Sequence, residues 1–184
     1  MIDDCTILGI DPGTNLLGFG IVRVSGGRPS YVDMGVLDLR RQKDAYDKLD
    51  CIYRKVDALC ALYSPEHLAI ESPFYGKNAQ VILKLGRAQG SVMAAAMCHG
   101  AKICEYAPRK AKEAICGNGA ASKEQVNLMV QKTLGIKIEA KYLDATDALA
   151  IAMCHYYQLT NPLAAKGGEG SWEKFIKENP GRIK

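Results

Sequence analysis

The sequence predicts an α/β domain built on a mixed five-stranded sheet with helices on both faces. Short apolar runs rich in β-formers alternate with stretches whose apolar residues recur at steps of three and four. Three of the short runs come first, joined by turn signals and ahead of any helical spacing. Two of the runs end in a carboxylate, with a proline one or two residues further on.

Thr6-Ile-Leu-Gly-Ile-Asp11 is the first strand, stopped by Pro12-Gly13. Leu17 to Val24 and Tyr31 to Leu39 follow, separated by the hairpin signal Ser25-Gly-Gly-Arg-Pro29. From about Gln42 to Tyr63, Leu49, Ile52, Tyr53, Val56, Leu59, Cys60 and Tyr63 mark one face of a helix. His67-Leu-Ala-Ile-Glu71 repeats the first formula, an apolar strand closed by an acid. Asn78 to His99 reads as a long helix stopped by Gly100, and Lys102 to Tyr106 as a last short strand. Two more helices are expected, from about Ser122, a candidate N-cap, to Leu134, and from about Asp144 to Leu159. Right-handed crossovers place the later strands beside the first, which is the ribonuclease H-like topology. The division is a domain over 1–160 and a flexible tail over 161–184, where Gly167-Gly-Glu-Gly-Ser171 interrupts the pattern.

With 184 residues, 48% of them hydrophobic, the chain is long enough to bury one core without staples. Its seven cysteines are odd in number, far apart and free of any C-x-x-C pair, which argues against a secreted disulfide framework and for a reducing, cytoplasmic setting. Acids at the start, where a signal peptide carries basic residues, and the lack of a long apolar run leave no expected membrane partner or export. The formal charge of +4 permits a polyanionic partner without demanding one.

The carboxylates decide more. If the strands ending at Asp11 and Glu71 are parallel neighbours, the two acids sit side by side at the carboxyl edge of the sheet, where open α/β sheets keep their sites. Asp144 and Asp147, at i and i+3, are about 60° apart on one helix face. The alanines at 145, 148, 150 and 152 let that helix pack closely on the sheet and bring its acids to the strand ends. Four clustered anions repel unless a cation neutralises them. Mg²⁺ prefers a few carboxylates plus waters and phosphate oxygens, and two such ions can drive phosphodiester cleavage. Two Mg²⁺ per site are therefore expected, with Mn²⁺ an acceptable substitute. Setting the four acids aside raises the formal +4 to about +8 on the remaining surface, an acidic pit in a basic molecule that suits a nuclease.

Leu8-Gly-Ile-Asp-Pro-Gly-Thr14, Gly18-Phe-Gly20, Ala69-Ile-Glu71, Lys84-Leu-Gly86, Gln89-Gly90 and Asp144-Ala-Thr-Asp-Ala-Leu-Ala-Ile-Ala152 together resemble the RuvC family of bacterial Holliday-junction resolvases, in order over roughly residues 5 to 156. The resemblance implies a homodimeric, Mg²⁺-dependent crossover junction endodeoxyribonuclease. Such an enzyme cuts two like-polarity strands of four-way junction DNA in recombination and DNA repair, after the RuvA and RuvB branch-migration proteins. It also implies that Asp11, Glu71, Asp144 and Asp147 are the four catalytic, metal-holding acids, that Phe74 is the aromatic residue near the strand-exchange point, and that Lys112 and Lys123 are functionally important lysines.

Phe74 or Tyr75, three and four residues past Glu71, is positioned to stack on an unpaired base. Lys77, Lys84, Arg87, Arg109, Lys110, Lys112 and Lys123 are candidates for phosphate contacts that position DNA arms without reading sequence. Lys123, at a helix N-terminal turn, is also a candidate for stabilising charge at the scissile phosphate. His67 starts a strand, His99 ends a helix and His155 lies about 12 Å of helix rise beyond Asp147, so none is expected to be a metal ligand. Asp11-Pro-Gly-Thr14 before a hairpin also resembles the first phosphate loop of actin-like kinases, but the chain has no room for their second domain. An RNA-cutting relative and a non-catalytic junction-binding domain remain the alternatives.

Overall fold

The computed structural model describes residues 3–72, 78–137 and 143–161; the side chains of Leu143 and Asp144 fall outside that set. Its strands are β1 (Cys5–Asp11), β2 (Leu16–Ser25), β3 (Arg28–Asp38), β4 (His67–Glu71) and β5 (Lys102–Tyr106). The helices are α1 (Ala45–Tyr63), α2 (Ala79–Cys98), α3 (Pro108–Cys116), α4 (Lys123–Leu134) and α5 (Leu143–Thr160). The sheet runs β3-β2-β1-β4-β5, antiparallel through β3, β2 and β1, then parallel from β1 to β4 to β5. The expected mixed sheet is present.

The sequence periods explain two separate cores. In β1, Cys5 and Ile7 face one side while Leu8 and Ile10 face the other. The first side is covered by α5, with α3 and α4 packed outside it. The second is covered by α1 and α2, through Ile52, Val56, Leu59, Ala88, Val92, Ala95 and Ala96. α1 begins at Ala45 rather than near Gln42, because the Asp44 side chain accepts from the backbone N–H groups of Tyr46 and Asp47 and fixes the start there.

α3 is an element the sequence reading does not contain. Pro108 at its first position and a left-handed Gly117 (φ 69°), whose N–H donates to the Glu113 carbonyl, bound only nine residues. Its buried face is just Ala111 and Ile115, too little to register as a period.

The close seat of α5 rests on two glycines. A methyl group added at Gly9 would overlap the carbonyl oxygen of Ala148 and crowd Ala152, and one at Gly20 would run into Leu149. With Ala145, Ala148 and Ala152 fully buried, small residues on both partners let the helix lie directly on β1 and β2. That places the first turns of α5 over the carboxyl ends of β1 and β4.

Candidate active site

Strand alternation decides which way the acids face. Asp11 shares its side of β1 with Cys5, Ile7 and Gly9, the side under α5; Glu71 shares its side of β4 with Ala69, which belongs to the same core. The register pairs Ile10 with Ile70, so Asp11 and Glu71 are the next residues on adjacent parallel strands. Asp147, one turn into α5, completes a cleft of about 230 Å³ lined by Asp11, Glu71, Asp147, Lys112, Lys123, Pro108, Ala111, Val126, Ala150 and Ile151.

Three of the four predicted acids therefore meet in one cleft. Asp144 sits one turn before Asp147 on the same helix, its side chain beyond the described set. The backbone of Glu71 is fixed by its neighbours: its carbonyl accepts from Nε2 of the buried Gln89 at 2.6 Å, and the Ser72 N–H donates to the Tyr106 carbonyl at 2.9 Å. Burial, then the nearby charges of Asp11 and Asp147, push the Glu71 carboxyl up to about 7, while Lys123 and Lys112 pull it the other way. Without a cation the cleft cannot comfortably hold all its acids ionised.

Lys123 is the first residue of α4, and a capping box holds that end: the Gln125 N–H donates to Ser122 Oγ at 3.3 Å, and the Ser122 N–H donates to Gln125 Oε1 at 2.9 Å. From this fixed base the lysine Nζ donates to Asp147 Oδ2 at 2.7 Å. Lys112 reaches the same cleft from α3, the helix absent from the sequence reading.

The other basic candidates lie elsewhere. Lys84 and Arg87 line a separate groove of about 360 Å³ between α1 and α2, together with Lys43, Lys48, Thr14 and Asn15. Lys48 donates from Nζ to the Thr14 carbonyl at 2.8 Å and to Asn15 Oδ1 at 3.3 Å, which ties the groove to the turn just past Asp11. Lys43 and Lys48 carry no sequence motif. Arg109 is exposed on α3, its side chain against Gly119, and Lys110 lies 5.5 Å above the Tyr106 ring. Phe74, Tyr75 and Lys77 lie outside the described residues, as does the chain from 162 onward.

The central mixed sheet, the acids at the carboxyl ends of β1 and β4 and a third acid from the covering helix define a protein of the ribonuclease H-like class. The family described as Crossover junction endodeoxyribonuclease RuvC matches residues 7–155. The Crossover junction endodeoxyribonuclease RuvC of Bacteroides fragilis is 51% identical over 180 residues, covering 97% of this chain and 95% of that one. That of Cytophaga hutchinsonii is 46% identical over 181 residues, covering 98% and 89%. Thermus thermophilus RuvC superposes with a TM-score of 0.76 at 33% identity, covering 84% of this chain and 96% of that one; its complex with a Holliday junction substrate gives 0.75 at 31%, covering 85% and 96%. The chain belongs to the crossover junction endodeoxyribonuclease RuvC family.

Proposed function

We propose that this chain resolves four-way DNA junctions by metal-dependent phosphodiester hydrolysis, with Asp11, Glu71, Asp144 and Asp147 holding the metal and Lys123 and Lys112 beside them. The observation that carries the reading is the convergence of Asp11, Glu71 and Asp147 from three elements into one cleft. The family membership and the junction complex of the Thermus thermophilus relative support it.

The donor set fits hard divalent cations: it is all carboxylate oxygen, and the raised Glu71 marks a site short of positive charge. Two Mg²⁺, or Mn²⁺ in their place, are the ions we assign; when bound they supply the charge that activates the attacking water and stabilises the leaving oxygen. The residues of the chain do the rest. Asp11 and Glu71 are held rigid by the sheet, so the ligand positions are set before substrate arrives. Lys123, anchored by the α4 cap, offers an exposed cation at the mouth of the cleft to a phosphate oxygen that gains charge in the transition state.

The Lys43, Lys48, Lys84 and Arg87 groove is a second phosphate surface, suited to a duplex arm rather than to the cut. Phe74 or Tyr75, just beyond Glu71, stacks on an unpaired base at the junction centre. Residues 1–160 form the nuclease unit and 161–184 an appendage. The protein works in the cytoplasm with RuvA and RuvB. No described helix is long and apolar enough to cross a membrane, and all seven cysteines are free.

A four-way junction presents two equivalent scissile sites, which a symmetric homodimer addresses together. α2 is the interface we assign. Ala88, Ala95 and Ala96 are buried in this chain's own core and Ser91 donates to the Leu49 carbonyl, so the outward stripe is Leu83, Arg87, Gly90, Ala94 and Met97.

Incubation with a synthetic four-way junction, a linear duplex and a structured RNA, each with Mg²⁺, tests the proposal. Paired symmetric cuts confined to the junction are the expected result. Preferential cutting of the RNA, or junction binding without any cut, overturns it.

A further inference from the structure

Toward the amino end of β4, away from the acidic cleft, the structure gathers three side chains that belong to no sequence motif. His67 opens β4, Cys104 lies on β5 and His155 is on α5 two turns beyond Asp147. The β4–β5 register pairs His67 with Lys102 and Ala69 with Cys104, so His67 and Cys104 point to the same side of the sheet, the side under α5. One ligand atom from each of the three lies within 4.8 Å of the others, and the two imidazole rings have centroids 4.7 Å apart. No histidine is expected as a metal ligand from the sequence, where His67 only starts a strand and His155 lies about 12 Å of helix rise beyond Asp147; the fold brings these two together.

The hydrogen bonding at this cluster is incomplete in an informative way. His155 is only 3% exposed. Its Nδ1 is 2.6 Å from the Tyr106 hydroxyl, while its Nε2 is buried with no hydrogen-bond partner among the described residues; His67 Nδ1 is buried and unpartnered too. Buried polar atoms of this kind call for a specific explanation. If Nδ1–H donates to the Tyr106 oxygen, Nε2 carries the free lone pair, the arrangement in which metal-bound histidines are held by a second hydrogen bond. Burial pushes His155 down to about 4 and lowers His67 as well, so both rings are neutral donors near pH 7.

We propose that His67, Cys104 and His155 form a Zn²⁺ site that ties α5 to β4 and β5 behind the acidic cleft. Two imidazole nitrogens and a thiolate suit a borderline-soft ion and not Mg²⁺. On binding, the Cys104 S–H bond breaks, its proton passes to solvent, and the sulfur electron pair forms the bond to zinc; no electrons are transferred. Ligand atoms around a tetrahedral Zn²⁺ are roughly 3.3–3.8 Å apart, so the cluster closes by about 1 Å. His67 and Cys104, both only partly buried, supply that movement. Water takes the fourth position.

Co²⁺ provides the test, because a thiolate bound to it gives a charge-transfer absorption that carboxylates cannot produce. The full chain, stripped of metal and kept under a non-thiol reductant with excess Mg²⁺ to occupy the acids, is titrated with Co²⁺ and then with Zn²⁺. The expected result is a charge-transfer band that saturates at one equivalent, is bleached by one equivalent of Zn²⁺ and accompanies a rise in Tm. Cys104→Ser should abolish the band, and His155→Gln should weaken Co²⁺ binding at least tenfold. Cys104→Ser should cut junctions in Mg²⁺ at the parent rate. His67→Gln, at the more open edge, serves as the second variant if His155→Gln fails to fold. No band in the parent protein, or a band that survives in Cys104→Ser, overturns the site, and neither result bears on junction cleavage.

Discussion

The two ends of the sheet face beneath α5 make a natural comparison, because the same helix and the same strand β4 furnish both. One end holds Asp11, Glu71 and Asp147; the other holds His67, Cys104 and His155. Burial acts on each and penalises the charged form in each, yet the results are opposite: the Glu71 carboxyl rises to about 7 and the His155 ring falls to about 4. The acidic end becomes a place of mutual repulsion that a hard cation relieves. At the other end the imidazoles become neutral, and His155 Nε2 and His67 Nδ1 lack a hydrogen-bond partner among the described residues. One physical cause thus raises an acid at one end of the face and lowers a base at the other.

The largest expected effect separates the ends outright. Asp11→Asn should reduce junction cutting by about 10³-fold or more, since the lost metal interaction is worth several kcal/mol at the transition state. Metal-free junction binding should be kept or tightened, because phosphate contacts dominate affinity and an acidic pit opposes them. Adding Glu71→Gln should cost little more, as the acids act as a unit. Parent-rate cutting by either variant would end the metal-nuclease reading.

Lys123→Ala should follow, with a loss of about 10²-fold in cutting. Since Lys123 holds Glu71 down, removing it should also move the Glu71 titration upward, visible by NMR in the metal-free protein. If neither rate nor titration moves, Lys123 is only a surface partner of Asp147.

Gly9→Ala probes the seat that both ends share. The added methyl meets the Ala148 carbonyl and should destabilise the fold by about 1–3 kcal/mol in denaturant titrations. Unchanged stability would mean that α5 can ride higher on the sheet than its small residues suggest.

The smallest effect is the pH profile of the metal-free protein. Glu71, raised from 4.5 to about 7, binds its proton more tightly in the folded chain, so its contribution is present at low pH and is lost as pH rises through that window. We expect about 1–2 kcal/mol after allowing for its partial exposure. His155, lowered from 6.5 to about 4, contributes fully above 6.5 and loses that contribution as pH falls toward 4. The two slopes oppose each other. Glu71→Gln should remove the first, so that stability between about pH 4 and about pH 7 rises with pH in EDTA. A profile unchanged by the substitution would place the raised carboxyl elsewhere.

Much of this arrangement is legible in the sequence, and the limits have physical reasons. Asp11 and Glu71 announce themselves because each ends an apolar strand, and strand alternation then settles their facing. The alanines of α5 foretell its close approach, although the matching Gly9 and Gly20 are read only as motif letters until the helix is seen lying on them. Lys112 is legible as a basic candidate and through the resemblance, but its helix is not, since nine residues with two buried positions leave no period to find in α3. Lys43 and Lys48 are missed because they stand at the start of α1, far in sequence from Lys84 and Arg87 of α2, with which they form one groove. His67, Cys104 and His155 sit on three elements, and only the register of β4 with β5 and the length of α5 bring them together.

The order of the sheet also bears on how the protein is made. β1, β2 and β3 are joined by local hairpins, contacts of the short sequence separation that forms fastest, but of the cleft acids they carry only Asp11. Glu71 arrives with β4 after the whole of α1, and Asp147 arrives with the last described helix. These late, distant pairings are the slow ones in folding. A half-made chain therefore holds one of the three cleft acids, and the cleft is complete only when α5 docks. On the metal-nuclease reading proposed above, a chain still lacking α5 has no complete site with which to cut.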